Sequence, residues 1–192
     1  MVHREKRSIV LFSGGIDSTA CVKYYLTLGY RVRGVFVDYG QAASGMEFKS
    51  ASRIASHYQI DFHRLVCDFG IHYREGEIRG RNALLVLAAL VSHPEFSGVI
   101  ALGIHSGTSY YDCSESFVSG INKIVAECTR GIVAVDAPFL NWTKMMIYEY
   151  CKEQEIPIHL TYSCEAGTEE PCGGCRSCLD RSVLDACKKN GA

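Results

Sequence analysis

No apolar run in the sequence approaches the ~20 residues that a membrane-spanning helix needs, so a transmembrane anchor is not expected. The first residues, Met1 to Arg7, are polar and lead straight into a strand-like run. Nothing there reads as a signal peptide, and the cytosol is the expected location. An excess of either charge is also missing: 20 Lys and Arg stand against 21 Asp and Glu, interspersed along the chain. That balance argues against a surface that tracks nucleic-acid phosphates. Internal repeats and low-complexity segments are absent too. With 192 residues and 47% of them apolar, the chain is long enough for one compact domain with its own core, plus a small appendage.

Cysteine, by contrast, is plentiful, with ten in all. Six stand singly, mostly among apolar neighbours: Cys21, Cys67, Cys113, Cys128, Cys151 and Cys187. The other four crowd one C-terminal stretch, Cys164 followed by Cys172-Gly173-Gly174-Cys175-Arg176-Ser177-Cys178. A chain of this size needs no disulfide scaffold, and a reduced compartment with one metal site explains the distribution better. Cys164, Cys172, Cys175 and Cys178 have the spacing of four thiolates closing a tetrahedron around Zn²⁺. Such a site has no open position and is structural. An iron–sulfur cluster is the rival for the same spacing.

Short apolar runs alternate with amphipathic segments, the pattern of βα units around a parallel sheet. Strands are expected over 8–12, 32–37, 62–66, 99–103 and 132–137. Helices are expected over 18–28, 46–58, 82–91 and 143–154, and along Phe117, Ile121, Ile124, Val125 and Cys128. Gly29 and Gly131 stop two of them. The helix over 82–91 is apolar enough to be buried on most of its surface. Leu179, Val183 and Leu184 continue as a short helix that buries the cysteine segment. The expected fold is therefore α/β, an open doubly wound parallel sheet over 1–160 with a four-cysteine zinc module over 161–192. In such sheets ligands bind beyond the carboxyl ends of the strands, where the connections reverse direction.

After the first strand stands Ser13-Gly14-Gly15-Ile16-Asp17-Ser18. Glycines let the backbone approach a ligand, the following helix offers free N–H groups, and two hydroxyls add donors. The arrangement suits a pyrophosphate, yet it is neither a Walker A loop nor a dinucleotide fingerprint. The plainer reading is a glycine-rich turn with Asp17 as helix N-cap; the placement between strand and helix favours the phosphate.

This hexad resembles the PP-loop of the ATP pyrophosphatases, and further stretches resemble the 7-cyano-7-deazaguanine synthase family among them. These are Asp38-Tyr39-Gly40-Gln41 with Glu47 following, Gly80-Arg81-Asn82, Tyr111-Asp112-Cys113, Thr143-Lys144, and Tyr162-Ser163-Cys164 through Cys178 with Leu179 and Arg181. The likeness runs in order from about Ser8 to Arg181. It implies an adenine nucleotide alpha hydrolase-like fold, with ATP, Mg²⁺ and Zn²⁺ as cofactors. It implies ATP-dependent adenylation of a deazapurine carboxylate, 7-carboxy-7-deazaguanine, and amination by ammonia to the amide and then the nitrile. Ser13, Asp17, Ser18, Arg81 and Lys144 would be catalytic. Phe12, Gly14, Gly15, Ile16, Val37, Asn82 and Gly103 would complete the nucleotide site, and Tyr39, Gln41, His105, Tyr111 and Asp112 would face the substrate. A homodimer is implied as well.

The chain departs from that family where Ala42-Ala43 replaces Arg-His and Ser114 replaces Arg. The segment between Gly103 and Tyr111 is short and has no acidic residue, leaving His105, Ser106, Thr108 and Ser109 as its polar groups. These departures keep other readings open. One is transfer of the activated deazapurine, or another acyl group, to a different amine such as that of a protein. Others are tRNA thiolation, which the balanced charge disfavours, and a non-catalytic nucleotide-binding role. Cys113 reads as a buried inert thiol and Trp142 as a packing residue.

Overall fold

A computed structural model describes residues 5–71, 73, 78–105, 107 and 110–189. Five parallel strands form one sheet: β1 (Arg7–Leu11), β2 (Arg31–Asp38), β3 (Asp61–Val66), β4 (Gly98–Leu102) and β5 (Val133–Asp136). Their spatial order is β3-β2-β1-β4-β5. The central strand β1 is buried along Ser8–Leu11, because helices cover both of its faces; edge strand β3, with Asp61, His63 and Arg64, is largely exposed.

Helices α1 (Ile16–Thr27), α2 (Ser44–Tyr58) and α5 (Lys144–Glu153) cover one face through a core that includes Ala20, Val22, Ile54 and Ile147. Helices α3 (Arg81–Ser92) and α4 (Glu115–Thr129) cover the other through Val86, Ala89, Ile121 and Val125. The chain steps outward from β1 to β3, then returns to lay β4 on the opposite side of β1. Connections thus leave β1 and β4 in opposite directions, and a crevice opens at their carboxyl ends. Helix α6 (Arg176–Lys189) follows the cysteine-rich segment.

Each expected strand and helix is present, with ends shifted by a residue or two. Three details differ. Helix α3 buries only Asn82, Val86 and Ala89, while Val91 is 79% exposed. Its main partners are the sheet, α4 and the turn at Tyr111–Cys113, so its outer side faces solvent despite its apolar composition. Helix α6 has 14 residues and buries Leu184, whereas Leu179 and Val183 are exposed. Leu184 joins the core with Ile147 and Cys151, and polar ties add to that apolar docking: Arg181 donates to Thr161 Oγ1 (2.9 Å) and to the Ile158 carbonyl (3.2 Å). Finally, the N-cap of α1 is Gly15, which places Asp17 inside the first turn.

Candidate active site and cysteine centre

The loop after β1 is held in one shape from three sides. Gly14 has φ +75°, and a Cβ there would lie 2.5 Å from the Ala51 amide nitrogen, so no side chain fits. Its carbonyl accepts from Ser50 Oγ (2.9 Å) and from the Tyr162 N–H (3.0 Å). Gly103, at the end of β4, packs as closely: a Cβ would meet the Asp17 carbonyl oxygen at 2.7 Å and the Ser18 nitrogen at 2.8 Å. The start of α1 is therefore wedged between β1 and β4, at the reversal of the sheet.

No side chain caps α1, which leaves its first-turn N–H groups available at the crevice. Ser18 donates to the Gly15 carbonyl (3.1 Å), with its Oγ 3.3 Å from Ser13 Oγ. Asp17 pairs through Oδ2 with Lys144, the first residue of α5, while Oδ1 is buried without a hydrogen-bond partner among the described residues. A buried carboxylate oxygen with an open lone pair beside a phosphate-ready helix end is a fitting ligand for a hard cation.

The crevice has two parts. A deeper pocket of about 200 Å³ has apolar walls, among them Leu11, Val35, Leu85 and Leu102. Phe12, Ser13, Gly15, Asp17, Ser18, Val37, Tyr39, Gln41, Arg81, Asn82 and Gly103 also line it. An outer cleft of about 660 Å³ adds Ile16, His105 and Lys144. Gly14 faces α2 and lines neither part. Tyr111 is exposed with its ring against Phe117, and buried Asp112 accepts from the Asn82 N–H (3.3 Å) while its carbonyl accepts from Asn82 Nδ2 (2.9 Å). Neither lines the cleft; Asp112 fixes the start of α3, and with it Arg81. Burial pushes the His105 pKa down against the opposing pull of Asp17, and its Nδ1 accepts from the Gly107 N–H (3.1 Å). Ser106, Thr108 and Ser109 lie outside the described residues.

The folded chain also brings in groups that were not among the expected nucleotide or substrate residues, although Glu47, Tyr162 and Ser163 stood in stretches that carry the resemblance. Glu47, in the first turn of α2, lines both parts of the crevice. Burial pushes its carboxyl pKa up, while the Gln41 hydrogen bond and the Arg81 charge oppose the rise. Gln41 is fixed at both ends of its amide: Oε1 accepts from the Tyr39 N–H (2.9 Å), and Nε2 donates to the Val37 carbonyl (3.2 Å) and Glu47 Oε2 (3.1 Å). Tyr162, Ser163, Glu165, Arg176 and Asp180 form a wall of the cleft from the cysteine-rich segment and α6. The backbone tie from Tyr162 to Gly14 was the missing signal for that wall.

Cys164, Cys172, Cys175 and Cys178 bring their sulfurs within 4.8 Å of one another, a cluster able to hold a metal. Backbone N–H groups point at the sulfurs: Cys172 to Cys164 Sγ (3.4 Å), Cys175 to Cys172 Sγ (3.4 Å) and Glu165 to Cys175 Sγ (3.5 Å). Burial disfavours a thiolate at Cys164, but hydrogen bonds from the Cys172 backbone, the Thr168 hydroxyl and the Ala166 backbone outweigh it and bring the pKa down to about 6. No disulfide joins the described cysteines.

The fold and the sequence each have relatives. A 4-thiouridine synthetase solved with RNA and bound ATP aligns with a TM-score of 0.57 at 16% identity, over 94% of this chain and 50% of that one. NMN synthetase from Francisella tularensis aligns at 0.55 and 14% identity, over 96% and 78%. Such low identity speaks for the shared fold only. In sequence, 7-cyano-7-deazaguanine synthase 2 of Desulfitobacterium hafniense (strain Y51) is 31% identical over 204 residues, covering 92% of this chain and 87% of that protein. 7-cyano-7-deazaguanine synthase of Acetivibrio thermocellus is 28% identical, covering 92% and 91%. The family model described as "Queuosine biosynthesis protein QueC" matches residues 7–75 and 72–187, nearly the whole chain, loop and cysteine cluster included. The chain belongs to the QueC family.

Proposed function

We propose that this chain is an ATP-dependent carbon–nitrogen ligase that adenylates the carboxylate of 7-carboxy-7-deazaguanine and aminates it to the amide and then to 7-cyano-7-deazaguanine. The observation that carries the reading is the uncapped start of α1 at the reversal of the sheet, with the Asp17–Lys144 pair beside it. Relatives that span most of this chain bear the name of that synthase.

In this reading the deeper pocket takes adenine between Val35, Val37 and Leu102. The first-turn N–H groups of α1, Ser13 and Ser18 hold the β- and γ-phosphates. The substrate carboxylate attacks the α-phosphorus, the α–β bond breaks, and pyrophosphate leaves with the bonding electrons. Fixed donors already aimed at that leaving group stabilise its growing charge without reorganisation. Asp17 Oδ1 would ligate Mg²⁺, which would neutralise phosphate charge. Arg81, set by the Asn82–Asp112 bonds, would meet the α-phosphate. Ammonia then displaces AMP to give the amide; a second activation, at the amide oxygen, eliminates AMP to leave the nitrile. The four cysteines would hold Zn²⁺ and so stiffen the wall that keeps water from the activated carboxylate.

A second reading keeps adenylation and changes the amine, which could come from a protein. Ala42, Ala43 and Ser114 favour it, standing where the family resemblance places basic side chains. Zinc-loaded protein with ATP, Mg²⁺ and 7-carboxy-7-deazaguanine, with and without ammonium, separates these outcomes by mass spectrometry. AMP, pyrophosphate and a nitrile together support the ligase. AMP with an adenylate or a protein adduct supports the second reading, and no ATP cleavage defeats both.

A further inference from the structure

A guanine-like ring presents two adjacent donors, N1–H and the 2-amino group, and a carboxylate is the side chain that accepts both at once. Four acidic residues line the cleft: Asp17, Glu47, Glu165 and Asp180. Two are committed. Asp17 pairs with Lys144, and Glu165 Oε1 accepts from the backbone N–H (3.2 Å) and hydroxyl (2.7 Å) of Ser177 at the start of α6. Asp180 is an exposed residue of α6. Glu47 differs from all three. It lies at the junction of the deeper pocket and the outer cleft, and among the described residues its carboxylate accepts a hydrogen bond from Gln41 alone.

The surroundings of Glu47 hold it ready. Gln41 cannot swing away, because both ends of its amide are tied to the β2 end, at Val37 and Tyr39. Gln41 is itself bracketed by backbone bonds on each side, from the Ala42 N–H to the Tyr73 carbonyl (2.8 Å) and from the Tyr73 N–H to the Gly40 carbonyl (3.0 Å). Arg81 supplies a cation across the site. A carboxylate already stripped of much of its water, and given one fixed hydrogen bond, gains strongly from two more donors.

We infer that Glu47 is the specificity-determining carboxylate of the site, accepting N1–H and the 2-amino group of the deazapurine, with Gln41 as its positioning residue. The inference rests on the deazapurine reading above. In it, Glu47 from α2 replaces the acidic residue that the segment after Gly103 lacks.

The test compares 7-carboxy-7-deazaguanine with the analogue lacking the 2-amino group, measuring kcat/KM and ATP affinity for wild type, Glu47→Gln, Glu47→Asp and Asp180→Asn. Wild type should favour the guanine compound by roughly ten- to a hundredfold, the worth of hydrogen bonds to a charged group. Glu47→Gln should lose most of that preference through KM while binding ATP as wild type does. Glu47→Asp should restore part of it, and Asp180→Asn should keep it. If Glu47→Gln folds, binds ATP and still discriminates, the role assigned to Glu47 is lost and the deazapurine reading stands. If wild type turns over neither compound, the deazapurine reading falls and Glu47's role falls with it.

Discussion

Asp17 in the first turn of α1 and Lys144 at the start of α5 form an ion pair between residues 127 positions apart in sequence. The pair joins the loop after β1 to the last helix of the sheet's first face, and Lys144 offsets the single negative charge of the Asp17 carboxylate while leaving Oδ1 open.

Removing one partner should therefore act on chemistry more than on folding, because both side chains keep partial contact with solvent. Lys144→Met should lower kcat for ATP cleavage by roughly 10²-fold, the scale of losing one fixed electrostatic group. Asp17→Asn should abolish it. Steady-state pyrophosphate release measures both, with thermal melts confirming that the variants stay folded.

Gly14→Ala faces two separate obstacles. The positive φ costs an L-residue about 1–3 kcal/mol, and the new methyl would press on the Ala51 backbone, which cannot yield as a flexible side chain would. Urea unfolding should show a loss beyond the conformational cost alone, whereas Gly29→Ala, with open space around its Cβ position, should show only that cost.

Chelation should couple the cysteine cluster to the cleft. Cys175→Ser should lower bound metal, measured by elemental analysis, and should lower both the melting temperature and ATP cleavage, since α6 and the segment through Tyr162 wall the cleft. Cys128→Ser, exposed on α4, should change none of the three. A variant that lost activity with full metal content would break the proposed link.

Glu47 predicts a pH signature of its own. Burial raises its folded-state pKa above the unfolded value of 4.5, with Asp38 adding to the rise and Gln41 and Arg81 opposing it. A raised pKa contributes stability that is full below the unfolded value and is lost as pH climbs through the folded one. The Glu47→Gln variant escapes that loss. Its melting temperature relative to wild type should rise from pH 4 to pH 7, and a flat difference would show that Glu47 is not held in the way described.

The loop Ser13–Ser18 and the four clustered cysteines could be read directly from the chain, because each is a contiguous segment whose residue types state their chemistry. The sheet was legible for a similar reason: runs such as Ile9–Phe12 and Val35–Val37 are too apolar to lie anywhere but between two layers. Helix α3 shows where that logic ends. Composition says that Leu87 and Val91 avoid water, but how many helices share their side of the sheet is a property of the whole fold.

The crevice belongs to the second kind. Lys144 meets Asp17, Tyr162 meets Gly14, and Glu47 meets Gln41 and Arg81 only once α5, the cysteine segment, α2 and α3 have been packed around β1 and β4. Contiguous motifs carry their geometry in local backbone rules. A site assembled from distant elements depends on packing that no local pattern encodes, and that is why only the folded chain sets Glu47 of α2 in the crevice beside Gln41.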